Sequence, residues 1–513
     1  MVSASKRFAM GSLVDQVALT EVVIITVILG LVINPLLRTI YNLTFHPLAA
    51  LPGPKPWGAS RLPFLWALIR GELVHELEAM HRRYGPVIRV APDEVAYAHP
   101  DAWNDIFLAR FAKDPTWWGP MDGAAPGILT ADEETHGVIR RMMNPGFTTR
   151  AMGTQEQVLH TYTDLLVSRW SDAITAGNGS AEIDVMKWFN FFTFDVFGEL
   201  AFTESFDCLR KSEYHGWISL IFTQLKYSGA MSAVKFYPLL ESLLKKMIPP
   251  SLQKAKQDHG QMIVDKVQRR LGRVVDKADL MSNALLEGEG TKTRLPVGMI
   301  HSTFSEFAVA ASDTTAMALS AAVNLLVWNE EKMTRLVKDV RGRFKGYEEI
   351  TVQGVRDMEY LNAVLHEVLR LCPPVPWNPP RVVPEGGAVV CGKVLPGGTR
   401  VSLTFTSMHR EPSSFHDALS FCPERWLPDA VSNPKSPFYN DKRQAWQPFT
   451  VGPHSCIGQN IAWAEMRLVM AKLLWTFDLS APEKSKRVIW EDMRTFLLIE
   501  KVPLVAVVKA RSA

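Results

Sequence analysis

The run Phe449-Thr-Val-Gly452-Pro-His454-Ser-Cys456-Ile-Gly458 sets one cysteine in a glycine-punctuated loop that leads straight into an apolar helical repeat. Gly452 and Gly458 carry no Cβ, so the backbone here can turn tightly and lie close to a flat ring. Downstream, Ile457, Ile461, Ala464, Leu468, Ala471 and Leu474 recur at three- and four-residue steps, the spacing of a helix with one buried face. Amides at the start of such a helix favour a thiolate over a thiol. A thiolate so placed suits the axial position of a haem iron, where it pushes electron density onto the metal and favours cleavage of the O–O bond of dioxygen. The ligand type therefore points to oxygen activation.

Length and composition permit that. The 513 residues are 47% hydrophobic and 21% charged, enough for a large core in an ordinary globular protein. No long Ser/Gly/Pro linker or repeat period divides the sequence, which predicts one large domain. Lys and Arg number 56 against 53 acidic residues, and the formal charge of +3 gives no support for nucleic-acid binding. Cys208, Cys372, Cys391, Cys422 and Cys456 are scattered, odd in number and free of any C-x-x-C pair, which fits a reducing compartment better than a disulfide or zinc framework.

The organisation predicted along the chain is a tail over residues 1–16, a transmembrane anchor over 17–37, a proline-rich hinge over 38–56 and a catalytic domain over 57–513. The centre of the anchor, Val22 to Ile33, carries no charge, and the apolar stretch approaches the roughly 20 residues needed to span a bilayer. A cleaved signal peptide competes with this reading, but no small-x-small cleavage pattern follows; a buried core helix is the other alternative. In the hinge, Pro47, Pro52 and Pro54 disfavour continuing the helix. Asn42-Leu-Thr44 and Asn178-Gly-Ser180 match the glycosylation acceptor pattern, a chance match if the domain faces the cytosol.

Periodicity predicts helices over Gln155 to Ala173, Ile183 to Ala201, Gln253 to Arg270, Val297 to Val327, Met358 to Leu371 and Ile457 to Trp475. A loop over Glu287 to Lys292 precedes the longest of them. Tyr84 to Tyr97 reads as a hairpin, and Ala388 to Val390 and Arg400 to Thr404 as short strands. The predicted class is mainly α with a minor β region.

The cysteine loop resembles the signature of the cytochrome P-450 family: Phe, two variable residues, Gly, variable, Arg, variable, Cys, variable, Gly. His454 stands where the family usually has arginine. Three further motifs support the resemblance, which runs from the hinge through Phe496 and is most like fungal microsomal enzymes of secondary metabolism. Glu367 and Arg370 lie three apart on one predicted helix and can pair; with Arg425 in Pro423-Glu-Arg425-Trp426 they resemble the family's buried cluster that supports the cysteine loop. Asp313 and Thr314, inside a long apolar helix, resemble its acid and alcohol pair, which delivers the protons of dioxygen reduction; Ala311 replaces the usual glycine. His136, Arg140, Arg381 and His409 fall in segments expected to meet the haem propionates.

The resemblance implies a fold with a long central helix over haem and the cysteine loop beneath. It implies haem b bound through Cys456, with Phe449, Gly452, His454 and Gly458 shaping the loop. Trp117, Trp118, Met121, Phe304, Phe307, Ala310, Val375, Trp377 and Phe496 should line the substrate pocket, whose walls favour an apolar terpenoid, polyketide or prenylated ligand. There is no G-x-G-x-x-G after a strand, so electrons must come from another protein, an NADPH-dependent flavoprotein reductase, which Arg140, Arg141, Lys442 and Arg443 would attract. The expected place is the endoplasmic reticulum membrane, single-pass, in contact with lipid, with the catalytic domain facing the cytosol. A haem-thiolate monooxygenase that hydroxylates or epoxidises is the first reading. A haem-thiolate isomerase or dehydratase without external electrons, and a non-catalytic haem-binding membrane protein, are the others.

Overall fold

A computed structural model describes residues 21, 29–120, 123–216, 229–237, 241, 250–273, 279–285 and 295–511. The tail, most of the anchor, the Glu287–Lys292 loop and Met121 lie outside the described residues. Eleven principal helices run in the order α1 (Asn34–Thr44), α2 (Leu62–Arg70), α3 (Leu73–Tyr84), α4 (Glu133–Met143), α5 (Thr149–Ala176), α6 (Val185–Phe202), α7 (Pro250–Leu271), α8 (Val297–Val327), α9 (Glu330–Arg343), α10 (Glu359–Leu371) and α11 (Gln459–Thr476). The β component is minor, so the architecture is mainly α in one large domain.

Five of the predicted helices match closely, and the differences have local causes. Ile183 and Asp184 begin no helix: they pair with Ala506 and Val505 in a sheet, and α6 starts one residue later, with the Asp184 carboxylate accepting from the Lys187 amide as its cap. Upstream, Thr148 caps α5 by accepting from the Ala151 amide, which carries that helix back to Thr149. Ile457 and Gly458 belong to the loop before α11.

The largest sheet has β1 (Val87–Ala91) and β2 (Glu94–Tyr97) as the expected hairpin. From there β2 runs parallel to β8 (Arg400–Leu403), β8 antiparallel to β5 (Asn378–Val382), and β5 antiparallel to β3 (Ala112–Lys113). This sheet matters to the site because its β3–β5 edge places Lys113 directly across from Arg381. It also fastens the hinge: the Arg89 amide donates to Pro52 O at 2.7 Å and its guanidinium to Asn42 O at 2.7 Å, while Asn42 Nδ2 donates to Ala59 O.

The main core forms where α8 crosses α6, α10 and α11. Almost all of α6 is buried, including Phe189, Phe191, Phe192 and Phe194, and this aromatic helix packs along α8. Among the described residues α8 alone is long and apolar enough to cross a membrane, but most of it is buried inside the domain, so it is a core helix. Two positions break the pattern: Ala310 and Ala311 are exposed in the middle of α8.

Glu465 of α11 is wholly buried, with Thr315 of α8 as its polar neighbour, and burial pushes its carboxyl up to about 8. Its folded pKa lies above its unfolded one, so any contribution it makes to stability is complete below about pH 4 and is lost as pH rises toward 8. Glu465→Gln should therefore raise the urea midpoint at pH 7.5, by up to about 4 kcal/mol of unfolding free energy, and leave it little changed at pH 4. Equal midpoint shifts at both values would show that Glu465 is ionised in the folded chain.

Candidate functional site

The cysteine loop is shaped by two left-handed residues and by long-range contacts. Thr450 adopts φ +57 and Gly452 φ +76, conformations that L side chains rarely take. A Cβ on Gly452 would meet Leu108 Cδ2 at 3.2 Å and Phe107 O at 3.4 Å, so glycine is required there for space as well as torsion. Gly458 has an ordinary φ of −82, and a Cβ there would meet nothing within 4 Å; its smallness leaves room beside the cysteine. The Cys456 amide donates to Phe449 O at 2.8 Å, closing the loop on itself. Phe449 in turn packs on Trp463 of α11.

Cys456 is exposed, yet protein crowds it closely enough that burial pushes its thiol up, with the Gly458 amide and the Arg140 guanidinium pulling the other way. The amides at the start of α11 therefore do not lower it on their own, contrary to the simplest expectation from the sequence. A thiolate here needs a cation to stabilise it, which is what a metal centre supplies.

One flank of the loop carries a cluster of nitrogen groups. Arg140 of α4 donates to Ser455 O at 2.5 Å and to Asn144. The rings of His136 and His454 stack at 4.0 Å, and His454 Nε2 meets Glu133 Oε2 at 2.7 Å. Neither histidine is a cation at neutral pH. Burial pushes His454 down to about 4, against the pull of Glu133, and pushes His136 down to about 3, helped by His454, Lys113, Arg140 and Arg381. The positive charge rests instead on Arg140, Arg381 and Lys113. Arg381 is almost fully buried, donates to Phe111 O at 2.7 Å, covers the Phe107 ring, and keeps its Nε without a partner. Lys113, which nothing in the sequence singled out, donates to Leu129 O at 2.7 Å, and burial pushes it down to about 8.

His409 does not join this cluster. It is fully buried beside Arg370 and Arg410, its ring stacks on Phe405, and its carbonyl accepts from Arg370 Nη1 at 2.8 Å. It belongs with the Glu367 network, because the short helix Phe405–His409 packs against α10.

In that network Arg370 reaches Glu367 through two hydrogen bonds of 2.8 Å, and Arg425 Nε reaches Glu367 Oε1 at 3.0 Å, with all three side chains at 0% exposure. Asp441, missed in the sequence, pairs with Arg425 at 2.5 Å. Two buried arginines thus face two buried carboxylates. Burial alone would raise Glu367, but Arg370 and Arg425 together hold it below the usual carboxylate range. The Cys422 amide and Trp426 Nε1 also donate to it, each at 2.9 Å.

On α8, Ala310 and Thr314 share a face, and the Thr314 hydroxyl donates to Ala310 O at 2.7 Å. Asp313 is buried and pairs with Lys501. Several residues expected to line a pocket are committed to core packing. Phe304 is fully buried against Phe202 and Phe307, and Phe307 packs on Phe147. Trp377 is 1% exposed between Phe64 and Trp117. Trp117, Trp118, Val375 and Phe496 are half-buried, and Ala310 is exposed. A cavity of about 80 Å³ lies elsewhere, lined by Asn324, Trp328 and Arg487; the exposed Ala310, Ala311 and Cys456 mark the site better.

The residues present fit haem. A carboxylate already rests on His454, Arg381 keeps a free buried donor, and Arg140, Arg381 and Lys113 together suit an anionic edge. Of the cations expected to dock a partner, Arg140 is bound to the loop and Arg443 to the carbonyls of Arg425, Ala430 and Phe438, whereas Arg141 and Lys442 are exposed.

Known proteins resemble the chain over nearly its whole length. A family model described as cytochrome P-450 matches residues 52–507. Averantin hydroxylase of Dothistroma septosporum is 37% identical over 479 residues, covering 93% of this chain and 89% of that protein. Cytochrome P-450 monooxygenase lcsI of Purpureocillium lilacinum is 37% identical over 487 residues, covering 92% and 91%. Cytochrome P-450 monooxygenase atr2 of Stereocaulon alpinum is 36% identical over 488 residues, covering 93% and 94%.

Glu367→Gln should leave Arg425 and Arg370 under-compensated in a dry interior and cost about 3–5 kcal/mol. Haem content per polypeptide, read from the Soret-to-protein absorbance ratio, should fall with it. Full haem loading with an unchanged urea midpoint would contradict this account.

Proposed function

We propose, on the premise that this chain belongs to the cytochrome P-450 family and is a monooxygenase, that it hydroxylates or epoxidises a mostly apolar fungal secondary metabolite using electrons from an NADPH-dependent flavoprotein reductase. Its substrate class is a terpenoid, polyketide or prenylated compound. The observation that carries the reading is an exposed Cys456, in a loop braced by Phe449 and Arg140, together with an exposed alanine step one turn before Thr314 on a mostly buried helix. Averantin hydroxylase supports the substrate class, since its name records an oxygenation of a fungal metabolite.

Haem held by a thiolate supplies dioxygen activation, with one oxygen atom entering the substrate and the other leaving as water. The protein's own residues set the conditions. Cys456 would be the ligand, and its loop sets where the sulfur is presented. Arg140, Arg381, Lys113 and His454 would hold the carboxylate edge of that group, with the unpartnered Nε of Arg381 as a free buried donor. The Thr314 hydroxyl would give up its hydrogen bond to Ala310 O and present its proton to the reacting side, and Asp313, the preceding residue of α8, would replace that proton. Trp117, Trp118, Val375 and Phe496, half-buried and apolar, exclude water from the substrate side.

The anchor reading gives residues 17–37 a single span in the endoplasmic reticulum membrane, the 38–56 hinge a stiff mount, and residues 57–513 a cytosolic face. Exposed Leu36, Leu37, Ile40 and Phe45 support contact between α1 and lipid. The reductase docks on the cysteine side through Arg141 and Lys442.

Expression in a host with reductase, fed candidate metabolites, should give products heavier by one oxygen only when NADPH is available. Cys456→Ala should abolish the carbon-monoxide difference band of the reduced protein. Thr314→Ala should keep the band but divert NADPH electrons into hydrogen peroxide. Turnover independent of NADPH would instead point to an isomerase or dehydratase.

A further inference from the structure

Asp313 has a partner that no motif near it announces. Lys501 lies between β11 (Leu498–Ile499) and β12 (Val505–Ala510), far along the chain, and its ammonium pairs with the Asp313 carboxylate and also donates to Asn190 Oδ1 of α6. Asn190 is fully buried and fixed by its own donation to Met186 O at 2.6 Å, so the acceptor that orients Lys501 does not wander. The burial is graded: the Asp313 side chain is 3% exposed and that of Lys501 14%. One end of the pair therefore touches the protein's edge, while the other is buried on α8 at the residue before Thr314.

A salt bridge built only for stability is a poor use of this place. Two charges taken out of water return little net free energy compared with apolar packing. Burial also lowers the lysine below its ordinary range, with Asp313 opposing that shift, which makes its ammonium a readier proton donor than a surface lysine.

We propose that Lys501 is the outer, positioning member of a proton route that ends in Asp313 and Thr314. This rests on the proton-delivery reading of those two residues. In the step, one N–H bond of the Lys501 ammonium breaks and one O–H bond forms on Asp313, which leaves both groups neutral. The Asp313 acid then gives its proton inward across the Thr314 hydroxyl. The Lys501 amine takes a replacement from water at its exposed edge, so one proton enters for each that leaves, and no electrons move.

Arginine separates this role from a structural one, because it keeps the charge but does not release a proton in proteins. The test uses the full chain with reductase, measuring hydrogen peroxide formed per NADPH consumed with no substrate added, together with urea unfolding of the haem-loaded protein. Lys501→Arg should keep the carbon-monoxide difference band and most of the stability, yet raise the peroxide fraction several-fold, as Asp313→Asn should. Lys501→Met should be less stable, and adding Asp313→Asn to it should restore most of that loss, since the stranded carboxylate is then gone. A wild-type peroxide fraction in Lys501→Arg, with a raised one in Asp313→Asn, overturns the role of Lys501 alone. A wild-type fraction in Asp313→Asn overturns the proton-delivery reading beneath it. Additive stability losses in the double variant overturn the pairing itself.

Discussion

The placement of Cys456 traces back to one compensated charge, the Glu367 carboxylate. Trp426 donates its indole N–H to Glu367, and its ring lies 4.9 Å from that of Trp446. The next residue to Glu367 on α10, His366, packs on both Trp446 and Trp463. Trp463 supports Phe449, whose carbonyl accepts the Cys456 amide. A buried carboxylate can serve as such a keystone only while its counter-ions remain. Arg370 and Arg425 supply them, and both are saturated by carbonyls and by Asp441. Aromatic stacking then carries that rigidity across to the loop, because large flat side chains in contact have few alternative rotamers.

The parts of this site legible in the sequence are those whose partners lie within one local motif. The Val297–Val327 helix was readable from end to end because a long buried helix has continuous apolar character and a proline, Pro296, at its start. Glu367 and Arg370 could be paired because three residues on a helix share a face. Lys113, Asp441, Glu133 and Lys501 could not, since each meets its partner through tertiary contact and sits in sequence that looks like any solvated segment. Lys113 becomes meaningful only when β3 pairs with β5 and sets it across from Arg381. The same limitation applies to His409, expected at the propionates, whose ring lies beside Arg370 and Arg410. It also assigned Phe304 and Trp377 to a pocket, because an aromatic residue near a site and one in the adjoining core look alike in sequence.

The departures from the family pattern make sense in their surroundings. His454 stacks on His136, a contact that two neutral rings can keep at 4.0 Å in a partly dry setting. An arginine there would add a charge beside Arg381, Arg140 and Lys113, all of which already weigh on His136. Replacing it by histidine trades charge for shape while preserving one N–H donor. Ala311 is exposed rather than packed, so its methyl group narrows the open side of α8 and does not serve the core.

The two ends of the site differ in how far their guanidinium donors are satisfied, and that difference indicates what the site accommodates. Around Glu367, two arginines meet two carboxylates, and each guanidinium nitrogen of the pair finds an acceptor. Around His454, Arg140, Arg381 and Lys113 gather on one flank, with Glu133, Asp132 and the half-buried Glu306 acting on Lys113, and the Nε of the buried Arg381 goes unused. A buried donor left without an acceptor is costly, and an arriving carboxylate would satisfy it. A flat ligand with carboxylates along one edge and a metal to take the Cys456 sulfur answers both needs at once. The unused donor at the edge and the raised thiol at the centre are therefore two expressions of one requirement, and binding that ligand should stabilise the fold it completes.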